Sequence, residues 1–163
     1  MNPSVHVAMG GLTISLDQKQ VLETFVGSCV ALCLFDPHVK IAGMAHVMLP
    51  EGNKKSSPNQ NNSGKYADQA VENLLKIILQ NGGKLGRIRA KMAGGANMFT
   101  HEEGTALFNI GEKNVHALRK FLKLHDIPIV SEDVGLSYGR KVEFIVKSGE
   151  LVVSSKLERV KRL

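Results

Sequence analysis

Two cysteines and one histidine hold most of the chemical potential of this chain. Cys29 and Cys33 are its two cysteines. A thiolate is a strong nucleophile toward amides and esters when a neighbouring base takes its proton. Cys29 stands in Gly27-Ser28-Cys29-Val30, where a polar stretch gives way to an apolar run. Small residues ahead of a nucleophile leave room for substrate and leave backbone N–H groups available to an oxyanion. Gly27 and Ser28 are therefore candidate supporting residues. His46 is the ionisable residue between Lys40 and Leu49. A histidine in an apolar strand is more often a packed core or edge residue, so its role turns on whether it meets Cys29.

The elements that must bring them together are two apolar runs, Cys29–Phe35 and Ile41–Leu49. The segment between them, Asp36-Pro37-His38-Val39-Lys40, is turn chemistry, because proline presets φ for the first central position. The pattern predicts a β-hairpin. A four-residue turn at Asp36–Val39 sets Phe35 against Lys40 and, at the far end of the ladder, Cys29 against His46. Opposed residues have Cβ atoms about 4.5–5.5 Å apart, close enough for imidazole to accept the thiol proton. A slip of one residue would put the two on opposite faces. A protonated His46 beside the sulfur would favour thiolate. A third group should orient the imidazole. Thr24, Glu23 and Asp36 are nearby. Asp36 fits a turn and Glu23 a solvated charge, and position alone does not choose among the three.

Cys33 lies four residues further on and reads as core. Two cysteines that far apart in an extended segment have Cα atoms roughly 13 Å apart at ~3.3 Å per residue. A disulfide needs about 4.4–6.8 Å, so both are expected to be free thiols in a reducing compartment. Their spacing is not that of a zinc knuckle, and no His-x₃₋₅-His pair accompanies them, so no metal is expected. Gly94-Gly95-Ala96 follows a strand without the Lys-Ser/Thr end of a phosphate loop. It reads as a tight turn, or as a backbone wall beside the site that could touch substrate.

The rest of the chain supplies the frame. Val5–Ala8 and Leu12–Leu16 are short strand-like stretches. Lys65–Gln80 has the spacing of an amphipathic helix, with apolar residues at 67, 70, 71, 74, 75, 78 and 79. Arg87–Met92 alternates Ile88, Ala90 and Met92 with Arg87, Arg89 and Lys91, which predicts a half-buried strand with a cationic outer face. A second helix is expected over Glu112–Leu124, then strands at Ile129–Val134, Val142–Val146 and Leu151–Ser154. Strands dominate without regular βαβ alternation. The expected class is α+β, with mixed or antiparallel sheet layers and two long helices packed on them in a single domain, 1–163. Pro50–Gly64 has no apolar residue besides its prolines and reads as a mobile loop. Residues 156–163 read as a loosely held basic tail.

Composition narrows the functional classes. The chain has 163 residues, 43% hydrophobic and 22% charged, which fits one globular domain and excludes a disordered chain. Its longest apolar run, Val30–Phe35, is far short of the ~18–20 residues that span a bilayer. No secretory leader is apparent, so membrane insertion is not expected and a cytoplasmic location is. A net charge of +6 suggests an acidic partner. Eight aromatics and no Trp give no stacking platform, so nucleic acid is the less favoured partner.

Five stretches together resemble the CheD-type chemoreceptor glutamine deamidases of chemotaxis. They are Gly27-Ser28-Cys29-Val30, Ala45-His46-Val47-Met48-Leu49-Pro50, Gly64-Lys65-Tyr66-Ala67-Asp68, Ala93-Gly94-Gly95-Ala96-Asn97-Met98-Phe99 and Asn109-Ile110-Gly111. They come in the family's order over roughly Thr24–Leu151. At Leu136 and Ser137 the chain departs from the family, which more usually has Gly and Asn in that loop. The resemblance implies conversion of glutamine side chains on methyl-accepting receptors to glutamate without a cofactor. It implies Cys29 as nucleophile, His46 as base and Thr24 as the hydroxyl completing the triad. It also implies two partners, the cytoplasmic helices of the receptors and a CheC-type phosphatase. Receptor methylesterase activity, another thiol hydrolase and a purely regulatory binding module are the alternatives.

Overall fold

The computed structural model describes residues 2–52, 61–98, 109–157 and 159–163. The chain runs β1 (Ser4–His6), β2 (Leu12–Ser15), β3 (Val21–Val26), β4 (Val30–Asp36), β5 (Ile41–Val47), α1 (Ala67–Gln80), β6 (Arg89–Gly94), α2 (Ile110–Leu124), β7 (Ile129–Val134), β8 (Arg140–Ile145), β9 (Glu150–Ser154) and β10 (Lys161–Arg162). A 3₁₀ turn at Leu85–Arg87 leads into β6. Two five-stranded sheets result, ordered β1-β3-β8-β9-β10 and β2-β5-β4-β6-β7. Both are mixed, since β1 runs parallel to β3 and β6 parallel to β7. This is the expected α+β arrangement.

The apolar runs explain the layering. Every residue of β4 and β5 is buried, which is why they read as continuous hydrophobic stretches rather than alternating ones. Val30, Leu32 and Leu34 face α1 and α2, packing with Ala70, Val71, Leu74, Leu118 and Leu122. Ala31, Cys33 and Phe35 face the other sheet, packing with Leu22, Val26, Val142, Phe144 and Leu151. The order is therefore helices, the β4-containing sheet, then the β3-containing sheet. Each wholly buried leucine or phenylalanine in these two cores contributes roughly 1.5–3 kcal/mol.

The hairpin forms, with a register shifted by two residues from the predicted one. Asp36 pairs with Ile41 and Ala31 with His46. The turn occupies Pro37–Lys40, one residue later than expected. Lys40 takes φ 57° and donates its N–H to the Asp36 carbonyl at 3.0 Å. The Asp36 carboxylate in turn accepts the His38 N–H at 2.9 Å and so fixes the turn from outside it. A slip of two keeps every side chain on its predicted face.

Two further expectations are corrected. The cationic face of β6 is not a solvated face. Lys91 points between the sheets, donating to the Gly149 and Leu163 carbonyls at 2.7 and 2.8 Å. Arg87 pairs at 3.0 Å with Asp36, which is wholly buried. Burial alone would raise the Asp36 carboxyl. The N–H groups of Lys84 and His38 and the Arg87 guanidinium outweigh it and hold the group below the ordinary carboxylate range. The basic end of the chain is not loose either: β10 pairs with β9, and Leu163 and Leu151 exchange two backbone bonds at 2.8 and 2.9 Å. Sequence reading also missed β3 altogether.

Much of the proposed loop, residues 53–60, lies outside the described residues. Its flanks are anchored. Gly64 donates its N–H to the Gly10 carbonyl at 3.0 Å, and the Ser63 carbonyl accepts from Asn73 on α1 at 2.9 Å.

Candidate active site

β3 and β5 belong to different sheets, and their inner faces meet across the inter-sheet core. Thr24 shares the inward face of β3 with Leu22 and Val26, and His46 shares that of β5 with Ala42 and Met44. Both side chains are buried. Thr24 Oγ1 and His46 Nδ1 lie 2.8 Å apart. The same hydroxyl donates to the Val7 carbonyl oxygen at 2.8 Å.

That pair of contacts fixes the imidazole tautomer. A carbonyl oxygen can only accept, and a threonine hydroxyl has one proton. The proton goes to Val7, so Oγ1 must accept from the ring, and Nδ1 carries the hydrogen. Nε2 of neutral His46 is then a bare lone pair. A hydroxyl in this position can orient an imidazole as a carboxylate does in other triads.

Cys29 sits on residues 27–29, the short crossing from β3 in one sheet to β4 in the other. Gly27, Ser28 and Cys29 are half-buried, whereas β4, which follows, is wholly buried. Cys29 packs on the inter-sheet core on the same side as Ala31. Ala31 is the residue directly opposite His46, which places Cys29 diagonally across from the imidazole rather than opposite it. Cys33 is wholly buried in that core, as expected.

The electrostatics favour a neutral resting pair. Burial pushes the Cys29 thiol above its ordinary value. Burial also lowers His46, and the charge of His6 lowers it further. At rest Cys29 is a thiol and His46 a neutral imidazole. Neutral His46 with a bare Nε2 is competent as a general base.

Gly94, Gly95 and Ala96 form the wall behind Cys29. Gly95 donates its N–H to the Cys29 carbonyl at 2.8 Å, and Ala96 to that of Gly27 at 2.9 Å. Gly94 adopts φ 118°, and a Cβ there would come within 2.3 Å of the Cys29 carbonyl oxygen. All three are buried, and their backbone bonds support the Cys29 segment.

Two polar residues that sequence reading missed hold this wall and its neighbours. The buried Arg140 donates to the Gly94 and Gly135 carbonyls at 3.1 and 2.7 Å and pairs with Asp133 at 3.3 Å. The buried Asn114 donates to the Ser28 and Met48 carbonyls at 3.2 and 3.0 Å. Asn114 had a signal in the sequence: it falls on the same helical face as Leu118 and Leu122, where a polar residue is out of place.

An open groove of about 890 Å³ begins at Gly27 and Met98 and runs past Phe25, Tyr138 and Leu157. Phe25, Met98 and Leu157 are exposed along it. Among the described residues no group of three or more His, Cys, Asp or Glu is placed to hold a metal. Among them, too, no helix is long and apolar enough to cross a membrane.

Comparison with known proteins gives this geometry its family. The family model for CheD chemotactic sensory transduction matches residues 48–155. The chemoreceptor glutamine deamidase CheD of Bacillus licheniformis is 42% identical over 149 residues, covering 91% of this chain and 88% of its own. A probable chemoreceptor glutamine deamidase CheD of Caldanaerobacter subterraneus is 44% identical over 151 residues, 93% of this chain and 92% of its own. The chain belongs to the CheD family. The chemoreceptor glutamine deamidase CheD of Thermotoga maritima is 39% identical over 148 residues, 90% of this chain and 88% of its own. These CheD relatives extend over Thr24, Cys29 and His46, which precede the matched 48–155 segment. Of the solved structures, the hypothetical protein YfiH of Bacillus licheniformis aligns over 78% of this chain and 50% of its own at 16% identity and a TM-score of 0.47, too distant a likeness to bear on the CheD site.

Proposed function

We propose that the chain is a chemoreceptor glutamine deamidase in which Cys29 is the nucleophile, His46 the general base and Thr24 the group that orients it. The observation that carries the reading is the Val7–Thr24–His46 hydrogen-bond chain, which leaves Nε2 as the proton acceptor in a site whose half-buried residue is a cysteine. The curated relatives, named as chemoreceptor glutamine deamidases, supply the substrate class.

The chemistry follows from the parts. His46 Nε2 takes the Sγ proton as sulfur attacks Cδ of a glutamine side chain. The oxyanion is held by backbone N–H groups at Ser28 and Cys29, with the small side chains of Gly27 and Ser28 giving access. The imidazolium returns its proton to the departing nitrogen, which leaves as ammonia. His46 then activates water, which hydrolyses the thioester and releases glutamate with a free thiol. Atoms balance with water as the only co-reactant, so no cofactor is required.

The substrate is a glutamine on a cytoplasmic helix of a methyl-accepting receptor, and the apolar groove leading to Gly27 gives such a helix a surface to lie on. A cytoplasmic location follows from that substrate. A CheC-type phosphatase is the second partner in this reading, competing with receptor for the same face. The test is incubation with a receptor cytoplasmic fragment. Mass spectrometry should show a gain of about one dalton at specific glutamines, the amide-to-acid change, with wild type and not with Cys29→Ala. Absence of the gain with wild type, or an equal gain with the variant, overturns the reading.

A further inference from the structure

The β4–β5 ladder ends at the Val30–Val47 rung. The next positions outward are Cys29 and Met48, where the two segments part: the Met48 N–H turns away to the Lys65 carbonyl at 2.8 Å, and the Cys29 carbonyl accepts from Gly95. The nucleophile and the base thus flank the frayed end of the hairpin. What spans that end is a side chain from α2. The Asn114 amide nitrogen has two protons, and they go to the Ser28 carbonyl at 3.2 Å and the Met48 carbonyl at 3.0 Å. One acceptor immediately precedes Cys29 and the other lies two residues past His46.

Two more observations bear on the role. Asn114 is wholly buried, and its Oδ1 has no hydrogen-bond partner among the described residues. A buried acceptor left unpaired is unfavourable, so the amide is retained for its donors. α2 is also seated close to the same site, since a Cβ on Gly111 would come within 2.5 Å of the Ala96 carbonyl oxygen. The helix cannot slide inward or tilt there without moving the wall behind Cys29.

We propose that Asn114 is a positioning residue that replaces the missing rung of the hairpin and sets the approach of Cys29 to His46. The inference rests on the deamidase reading above for its activity readout. A residue that merely stabilised the fold would change the folded fraction; a residue that sets the thiol–imidazole geometry changes turnover and the coupling of the two groups.

The experiment compares wild type, Asn114→Asp, Asn114→Ser and His46→Ala. Asn114→Asp keeps the shape and turns an oxygen toward two carbonyls. Asn114→Ser retains one donor. Deamidation kinetics on a receptor fragment are measured beside the pH dependence of Cys29 alkylation by iodoacetamide. Asn114→Asp should lower kcat roughly ten- to a hundredfold, the loss expected for a misplacement of about 1 Å, with KM changed by no more than about twofold. Its alkylation profile should lose the inflection that His46→Ala also removes, and Asn114→Ser should recover part of both. If both Asn114 variants keep the wild-type alkylation profile, or if kcat falls only in proportion to the folded fraction by near-ultraviolet circular dichroism, the proposal fails. Where Asn114→Asp does not fold, Asn114→Ser decides on the same two readouts. A wild type that does not deamidate sinks the deamidase reading, and the alkylation profiles still decide the role of Asn114.

Discussion

Thr24 Oγ1 stands 2.8 Å from His46 Nδ1, and its only proton is committed to the Val7 carbonyl. The two residues lie on different sheets, so the bond proposed to orient the base is also a clamp between the layers. Thr24→Val keeps the volume and removes the acceptor, leaving a buried Nδ1–H unpaired or moving the proton to Nε2. The tautomer change would take away the Nε2 lone pair proposed to receive the thiol proton, and the unpaired Nδ1–H would leave the ring without the bond that holds its orientation. Deamidation should fall roughly ten- to a hundredfold, while Thr24→Ser stays near wild type. Nitrogen chemical shifts of His46 report the tautomer directly. A Thr24→Val enzyme with wild-type turnover and an Nδ1–H tautomer would remove Thr24 from the mechanism.

The resting charges of the site predict an unusual pH profile. Burial first, and the charge of His6 second, hold His46 below its ordinary value of 6.5. The base is therefore neutral through the physiological range, and activity is gained as pH rises through that lowered value. Burial moves Cys29 upward from 9.0, so deprotonation of the thiol comes later still. kcat/KM should rise on a limb centred below 6.5 and then hold a plateau to the alkaline side. His6→Gln removes the second cause and should shift the acid limb toward 6.5. A bell narrowed around neutrality would instead signal a preformed ion pair. The linkage sign is that of a depressed group: stability contributed by His46 is present above its unfolded value and is lost as pH falls through the folded one.

Gly94 offers a test of the wall behind the nucleophile. At φ 118°, with a Cβ position 2.3 Å from the Cys29 carbonyl oxygen and 2.9 Å from Val26, alanine fits neither the backbone nor the space. Gly94→Ala should cost roughly 1–3 kcal/mol from the backbone conformation and displace the Cys29 segment, so that activity falls further than the folded fraction does. Gly86, where a Cβ would meet nothing within 4 Å, is the matched control. Gly86→Ala should leave both melting temperature and turnover close to wild type. Equal behaviour of the two variants would show that the close contact is relieved without moving Cys29.

The legibility of this site in the sequence follows the physics of each residue. Cys29 and His46 could be joined because an alternating ladder fixes faces, and the two-residue error in register left those faces intact. The error came from Lys40, whose φ of 57° lets the turn close one residue later than turn composition suggests. Thr24 could be reached from position and family resemblance and not from pattern. In β3 the buried residues include a threonine while Phe25 is 61% exposed, the reverse of a hydrophobic-in alternation. Asn114 showed only as a polar residue on an apolar helix face, with nothing local to name its carbonyl partners at Ser28 and Met48, and Arg140 reaches the Gly94 carbonyl 46 residues away, which leaves no local trace. Lys91 misled because a lysine in an alternating strand looks solvated, whereas its ammonium reaches two carbonyls between the sheets.

Leu136 carries strain that Gly or Asn would avoid at the same position. It adopts φ 61° and is 56% exposed, a branched apolar side chain in the left-handed region facing water. That conformation costs an L-residue roughly 1–2 kcal/mol. Its carbonyl accepts the Asn97 N–H at 2.8 Å, and its neighbour Gly135 bonds to Gly94, so the loop is held in place by the wall behind Cys29. Leu136→Gly removes the strain and adds unfolded-state entropy of about 0.4–1 kcal/mol, a net stabilisation of about 0–1.6 kcal/mol. Leu136→Asn tolerates the same φ without that entropic cost and should be the more stable of the two. Denaturant melts order the three proteins Asn, Gly, Leu from most to least stable. Activity should stay near wild type, because the Asn97 bond uses the backbone alone. A loss of stability in both variants would mean that the Leu136 side chain makes a contact worth more than its strain.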